Sequence, residues 1–204
     1  FKSNFFLNFI KIFIKFYFFL KFYNKDFSKL IKNKKINIIG PSEFKNQTKN
    51  KIKKREVVVR FAYFGQQLDK NFFYKLKPNI SYLNGQDIDE INSNKSLIKR
   101  INKLKIDFLC LKKKSINKFV VNQRVYFNKN FFFSGSPNML QHCLIDLLAH
   151  GAKNIKLYNI NFYLDKNPYH KNYVKLKNIK HNSFKEYLLY GFVIHDWYCN
   201  FLFI

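Results

Sequence analysis

A chain of 204 residues, 47% of them hydrophobic and 20% aromatic, can bury a sizeable single core, so only its lysine- and asparagine-rich runs suit disorder. The formal net charge of +26 favours a polyanionic partner through counterion release, although Phe, Lys, Asn, Ile and Tyr are abundant together and share A- and T-rich codons, so base composition accounts for part of the lysine. Cys110, Cys143 and Cys199 are odd in number and lack a close pair, which excludes a disulfide framework and points to a reducing compartment; with no Cys-x-x-Cys or His-Glu-x-x-His, no metal site is expected.

Residues 1–23 are almost wholly Phe, Ile, Leu and Tyr, interrupted by Asn4, Asn8, Lys11 and Lys15 at helical spacing. Lysines inside the segment make it a poor membrane span, because each central charge costs about 2.5–3.5 kcal/mol. A helix lying in the interface of an anionic membrane is the reading, with a helix packed on the core as the alternative. Lys25 to Lys35 reads as a charged connector. The chain therefore divides into residues 1–35, a basic amphipathic helix and connector, and residues 36–204, a catalytic domain. It starts at Phe1 and stops at Ile204 within an apolar run, as a fragment of a longer protein would.

Short apolar runs predict strands at Ile36–Ile39, Val57–Phe61, Ile80–Leu83, Ile106–Leu111 and Ile155–Phe162. The first ends at the turn Gly40-Pro41-Ser42 and the third at Asn84-Gly85. Helical spacing of Ile91, Leu97, Ile98, Ile101 and Leu104 predicts a helix over Asp89–Lys105. A second is predicted to open at Pro137, to present Leu140, Cys143, Leu144, Leu147 and Leu148, and to stop at Gly151. Strands alternating with helices imply an α/β fold, Rossmann-like, with a mostly parallel sheet flanked by helices. Ligands of such sheets bind beyond the carboxyl ends of the strands.

Tyr163, Tyr169 and His195 stand out in the last third. Two phenols offer neutral donors to a phosphate-bearing leaving group, and an imidazole of near-neutral pKa can take a proton from an attacking hydroxyl. His142, His150, His170 and His181 read as structural or surface residues, and Asp87, Asp89 and Glu90 as the acidic start of a helix.

These residues resemble the sialyltransferases, most closely the bacterial lipooligosaccharide type and more distantly the animal sialylmotif enzymes. Gly40-Pro41-Ser42 is similar to the end of that family's G-N-G-P-S turn, Val58-Val59-Arg60-Phe61-Ala62 to its strand-Arg-x-Asn element, and Tyr82-Leu83-Asn84-Gly85 to a nucleotide-contacting loop. Ser134-Gly135, the helix after it, Gly151 to Ile155 and Ile160-Asn161-Phe162-Tyr163 match the order of its third block, with Tyr169 and His195 at the family's spacings. The chain departs from the family pattern at Ile39, Ala62, Asn161 and Cys199.

The resemblance implies the GT-A-like variant fold of sialyltransferases and an inverting, metal-independent transfer of sialic acid from CMP-sialic acid to a glycan such as lipooligosaccharide or capsule, without a cofactor. His195 would be the base and Tyr163 and Tyr169 the phosphate contacts. Gly40, Pro41, Ser42, Arg60, Asn84, Gly85, Ser134, Gly135 and Asn161 would line the nucleotide site, largely through backbone groups. With the basic surface and the first segment, it implies an enzyme peripheral on the cytoplasmic face of a bacterial inner membrane, with no specific nucleic acid as partner. The alternatives are a ribosomal-type nucleic-acid-binding protein without catalysis, and a related glycosyltransferase using another nucleotide sugar.

Overall fold

Short β-branched runs such as Lys35-Ile-Asn-Ile-Ile39 and Val57-Val-Val-Arg-Phe61 suit strands covered on both faces, where apolar residues need not alternate with polar ones. The computed structural model describes residues 16, 17, 19–42, 52–63, 77–115, 119–126 and 138–160. In it β1 (Lys35–Ile39), β2 (Val57–Phe61), β3 (Ile80–Leu83), β4 (Phe108–Leu111), β5 (Gln123–Val125) and β6 (Asn154–Tyr158) form a six-stranded sheet in the order β5-β4-β3-β2-β1-β6. Every pairing is parallel. The described helices are α1 (Lys25–Ile31), α2 (Gly85–Ser93), α3 (Lys95–Asn102) and α4 (Met139–Ala149).

Alternation along the strands sends Ile36, Ile38, Val57, Val59, Ile80, Tyr82 and Cys110 to one face, where they meet Phe27 and Ile31 of α1 and Leu140, Cys143, Leu144 and Leu147 of α4. Leu83, Leu109 and Leu111 point the other way, onto Ile88 and Ile91 of α2 and Leu97 and Ile101 of α3. Helices thus cover both faces, and the expected α/β architecture with a parallel sheet is observed.

Several local readings are corrected. The segment taken as a charged connector contains α1, capped by the Asn24 side chain accepting from Phe27 N–H, with Phe27 and Ile31 fully buried. Two apolar residues four apart were enough to anchor a helix that its lysines disguised. The expected single helix over Asp89–Lys105 is two, because Asn94 is extended and its side chain caps α3 by accepting from Ser96 and Leu97 N–H groups. β4 begins at Phe108, since the Asp107 and Phe108 N–H groups both turn to the Asn79 carbonyl. α4 begins at Met139 behind an Asn138 cap, and Leu148 is exposed rather than buried. β6 stops at Tyr158 because Asn159 takes a left-handed conformation, φ 53°; Asn161 and Phe162 lie outside the described residues. Gly151 does end α4. Its φ of 93° suits glycine, and the Gly151 and Ala152 N–H groups close a Schellman motif on Leu148 and Leu147 carbonyls. The short polar β5 has no apolar run to betray it.

A buried polar cluster fastens α1, α4, β3 and β5 together. Arg124 of β5 forms a bidentate pair with Asp146 of α4, with Nη1 on Oδ2 and Nη2 on Oδ1 at 2.9 Å, and both side chains are almost fully enclosed. Tyr82 of β3 donates its hydroxyl to Asp146 at 2.7 Å. Arg124 also donates to the Phe22 carbonyl at 3.0 Å and lies 4.3 Å over the Phe27 ring. Burial opposes the charge on Arg124, but Asp146 more than offsets this and holds its pKa above the ordinary value. Burial drives the Tyr82 hydroxyl well above its usual range and the Cys110 thiol up to about 12, so both stay protonated. Cys110 and Cys143 are free and buried, as read from the sequence.

His150, at the end of α4, completes the cluster. Its Nε2 accepts from the Asn24 N–H at 3.1 Å, which fixes the tautomer with Nδ1–H donating to the Asp146 carbonyl at 2.8 Å. Its ring stacks on Tyr23 and meets the edge of Phe27. Burial, reinforced by Arg124 and opposed by Asp146, lowers its pKa below 6.5.

Two predictions follow from the cluster. Asp146→Leu, which strands the Arg124 charge, is expected to cost about 3–5 kcal/mol of unfolding free energy, while the pair Arg124→Met with Asp146→Leu recovers most of it; urea titration checks both. Because folded His150 resists protonation, the unfolded chain takes up its proton first. Stability should therefore be flat with respect to this group above about pH 6.5 and fall as the pH drops toward its lower folded value. His150→Gln should flatten that dependence relative to the parent, and identical slopes would show that His150 is not the group.

Candidate active site

All strands being parallel, their carboxyl ends share one edge of the sheet. From β1 the chain steps outward through β2, β3 and β4 to β5, then returns to place β6 on the other side of β1. The strand order reverses between β1 and β6, and in open α/β sheets the crevice outside the carboxyl ends at such a reversal is where ligands bind. Gly40-Pro41-Ser42 leaves β1 at that point. The opposite edge is closed by Glu56, which pairs with Lys35 at 3.2 Å and accepts from the buried Asn37 amide at 2.9 Å.

The turn is fastened to β6. Ile39 is level with Tyr158, the Gly40 N–H donates to the Tyr158 carbonyl at 2.7 Å, and the Ser42 N–H donates to the Asn159 carbonyl at 3.1 Å. A Cβ on Gly40 would run into the Asn159 carbonyl oxygen and sit 2.6 Å from Cγ1 of Ile160. Glycine is required here by close approach of two backbones. Ser42 is itself buried.

Pro41 has no N–H, and the Gly40 and Ser42 N–H groups are bonded to the Tyr158 and Asn159 carbonyls at the end of β6. Asn84 and Gly85 stand at the end of β3, two strands from β1 and hence about 10 Å along the edge. Asn84 caps α2 by accepting from the Asp87 N–H at 2.8 Å, and Asp87 returns the bond to the Asn84 N–H at 2.9 Å. That carboxylate already occupies the positive end of α2. The Asn84 side-chain NH2 takes no part in this capping box. The acidic trio is therefore the predicted helix start, with Asp89 paired to Lys113.

Arg60, in β2, lies between Ile39 and Ser81 in the sheet, is 4% exposed, and places its guanidinium 4.8 Å over the Tyr63 ring. Ala62, where the family pattern has asparagine, has φ 48° and is fully buried. Asparagine tolerates that conformation far better than alanine, which gives the pattern a backbone reason. The edge also uses residues that sequence reasoning passed over. Asn159 and Ile160 form the wall opposite Gly40, and the Ser81 hydroxyl ties down the chain after β2 by accepting from the Tyr63 N–H and donating to its carbonyl. An asparagine directly after a strand was the available signal for Asn159.

The structure thus brings Gly40, Pro41 and Ser42 against the end of β6, with Arg60, Asn84 and Gly85 on the same edge. Ser134, Gly135, Asn161, Tyr163, Tyr169 and His195 lie outside the described residues, as does Cys199. The described chain ends in this region at Ile160, three residues before Tyr163.

No family model matches the sequence, and no curated protein matches it. Among solved structures, the sialyltransferase CstII from Campylobacter jejuni, in complex with the substrate analogue CMP-3FNeuAc, is similar with a TM-score of 0.48 and 16% sequence identity over 74% of this chain and 70% of that one. At that level the likeness decides nothing about chemistry.

Gly40→Ala is expected to lower stability by about 1–3 kcal/mol through overpacking against Asn159 and Ile160. In a chain of this size that is a fall in melting temperature of about 2–4 °C per kcal/mol. An unaltered melt would show that the turn is not packed on β6.

Proposed function

We propose that the chain is an inverting, metal-independent glycosyltransferase that moves sialic acid from CMP-sialic acid to a glycan acceptor such as lipooligosaccharide or capsule. The observation that carries this reading is the position of the Gly40-Pro41-Ser42 turn at the reversal of strand order, packed on the strand whose continuation leads to Tyr163. Covalent geometry limits the three Cα–Cα steps from Ile160 to Tyr163 to about 11 Å, which supports a role for this tyrosine near the end of β6.

The state of the two nearby backbone features supports the roles given to the side chains. The turn's N–H groups are bound to β6 and the start of α2 is neutralised by Asp87, so the leaving phosphate needs side-chain donors, and Tyr163 and Tyr169 supply them. As the bond to CMP breaks, negative charge grows on its phosphate, and fixed phenol donors lower that charge's energy more in the transition state than in the ground state. His195 takes the proton from the acceptor hydroxyl as its oxygen attacks the anomeric carbon from the opposite side. Asn84, through its free amide, and Ser134, Gly135 and Asn161 would orient the nucleoside, and Arg60 would hold the floor of the site at β2. No resident cofactor is needed for this reaction.

The experiment is CMP release from CMP-sialic acid by the purified chain. His195→Ala is expected to lose about 10²–10⁴-fold in turnover while still binding CMP, and Tyr163→Phe with Tyr169→Phe to lower turnover without abolishing CMP binding. Binding of UMP or GMP in place of CMP would identify a different donor. Unchanged turnover in His195→Ala would remove the proposed base, and no binding of any nucleotide would remove the reading altogether.

A further inference from the structure

Among the described residues the exposed large hydrophobic side chains are concentrated at one place. Residues 16, 17 and 19–21 are helical, and Phe16, Phe19 and Leu20 are 61%, 61% and 62% exposed, followed by Tyr23 at 41%. The i, i+3 and i+4 spacing of Phe16, Phe19 and Leu20 is that of one stripe along a helix, and Tyr23 follows it just past the helix end. A soluble surface has no use for a contiguous apolar stripe of this kind, and such stripes mark a docking face.

Charge selects the partner. From residue 16 to residue 34 the sequence carries five lysines, Lys21, Lys25, Lys29, Lys32 and Lys34, and one acid, Asp26. Lys25 and Lys29 of α1, on the side away from the buried Phe27 and Ile31, and Lys32 at its C-cap are exposed. Aromatic and aliphatic residues in a helical stripe beside exposed lysines suit the boundary between the acyl chains and anionic headgroups of a bilayer. Leucine in the stripe contributes to burial in lipid and nothing to base stacking, which favours lipid over single-stranded RNA. No helix among the described residues is long and apolar enough to cross a membrane, so the geometry is that of a segment lying on the surface.

The stripe is also fixed to the sheet. Phe19 stacks on Tyr23 with ring centroids 5.0 Å apart, Tyr23 stacks on His150 at 5.6 Å, the Phe22 carbonyl accepts from Arg124, and the Asn24 N–H donates to His150. These contacts tie the stripe to the buried Arg124–Asp146 cluster within five residues of chain.

We propose that Phe16, Phe19, Leu20 and Tyr23, with Lys21, Lys25, Lys29 and Lys32 beside them, seat this protein on an anionic lipid surface in an orientation fixed by the His150 contacts. The assignment stands independently of the donor sugar and of catalysis.

The test uses the full 204-residue chain and co-sedimentation with vesicles of phosphatidylcholine alone or mixed with phosphatidylglycerol. Binding is expected to need the anionic lipid. The variant Phe16→Ser, Phe19→Ser, Leu20→Ser should lose at least about tenfold in partitioning, and Lys21→Glu with Lys25→Glu at least about fivefold for each lysine, each with the melting temperature of the parent. Leu20→Trp, which keeps the stripe apolar, should gain fluorescence that brominated lipid quenches. Undiminished sedimentation of the triple serine variant, indifference to phosphatidylglycerol, or no added quenching in Leu20→Trp would overturn the proposal. So would displacement from vesicles by single-stranded RNA whose own binding is lost in the triple serine variant, which would make the stripe a base-stacking surface.

Discussion

The bidentate pair between Arg124 and Asp146 is the interaction on which the arrangement of this molecule depends. Taking two opposite charges out of water costs several kcal/mol for each ion, so the pair needs most of its remaining donors and acceptors met; among the described residues only Arg124 Nε is left without a partner in the pair. Tyr82 and the Phe22 carbonyl meet others, and His150, oriented by the same helix, meets Asn24. A hydrophobic replacement could hold the same elements with comparable strength, but it would not dictate which part of α4 faces β5 or where the chain before α1 must run. The cluster contributes specificity of arrangement more than net stability.

That specificity reaches the candidate active site. α4 leads through the Gly151 stop directly into β6, and β6 pairs with β1 on the side away from the other strands. Fixing α4 against β5 and β3 therefore fixes the crossover that creates the reversal of strand order. The pairing of β6 with β1 is a consequence of this crossover, and the glycine at position 40 allows the two chains to close to hydrogen-bonding distance beyond the strand ends. The same cluster reaches the apolar stripe before α1 from the opposite direction, so the stripe and the β1–β6 edge are tied to one group of buried side chains.

The chemistry of the edge is shaped by what is already satisfied. A turn and a helix start are both natural anion sites, and here each is occupied from within the protein, by β6 carbonyl groups in one case and by Asp87 in the other. The N–H groups of Gly40, Ser42, Asn84 and Asp87 are therefore already bonded within the protein. Among the residues expected to contact a nucleotide, Gly40, Pro41 and Ser42 pack against the end of β6, Asn84 caps α2, and Arg60 is stacked on Tyr63.

The strands at Val57–Phe61 and Ile80–Leu83 were legible residue for residue, because a buried parallel strand reads as a short apolar run bounded by polar residues. Other boundaries shifted by one to four residues, several of them where an asparagine side chain or a left-handed residue overrode the apolar pattern, as at Asn94, Asn138 and Asn159. β5 and α1 were not legible: one is a three-residue edge strand held by Arg124, the other a helix whose two buried residues are outnumbered by charge. The sequence by itself determined the class of fold, the turns that end β1 and β3, and the reduced, buried cysteines, since all of these follow from local composition and spacing. Only the tertiary structure decided that Asp146, His150 and Arg124 belong to one buried cluster, that the turn donors are spent on β6, and that β1 and β6 meet at the reversal, because each depends on contacts between residues 20 to more than 100 positions apart that no local pattern encodes.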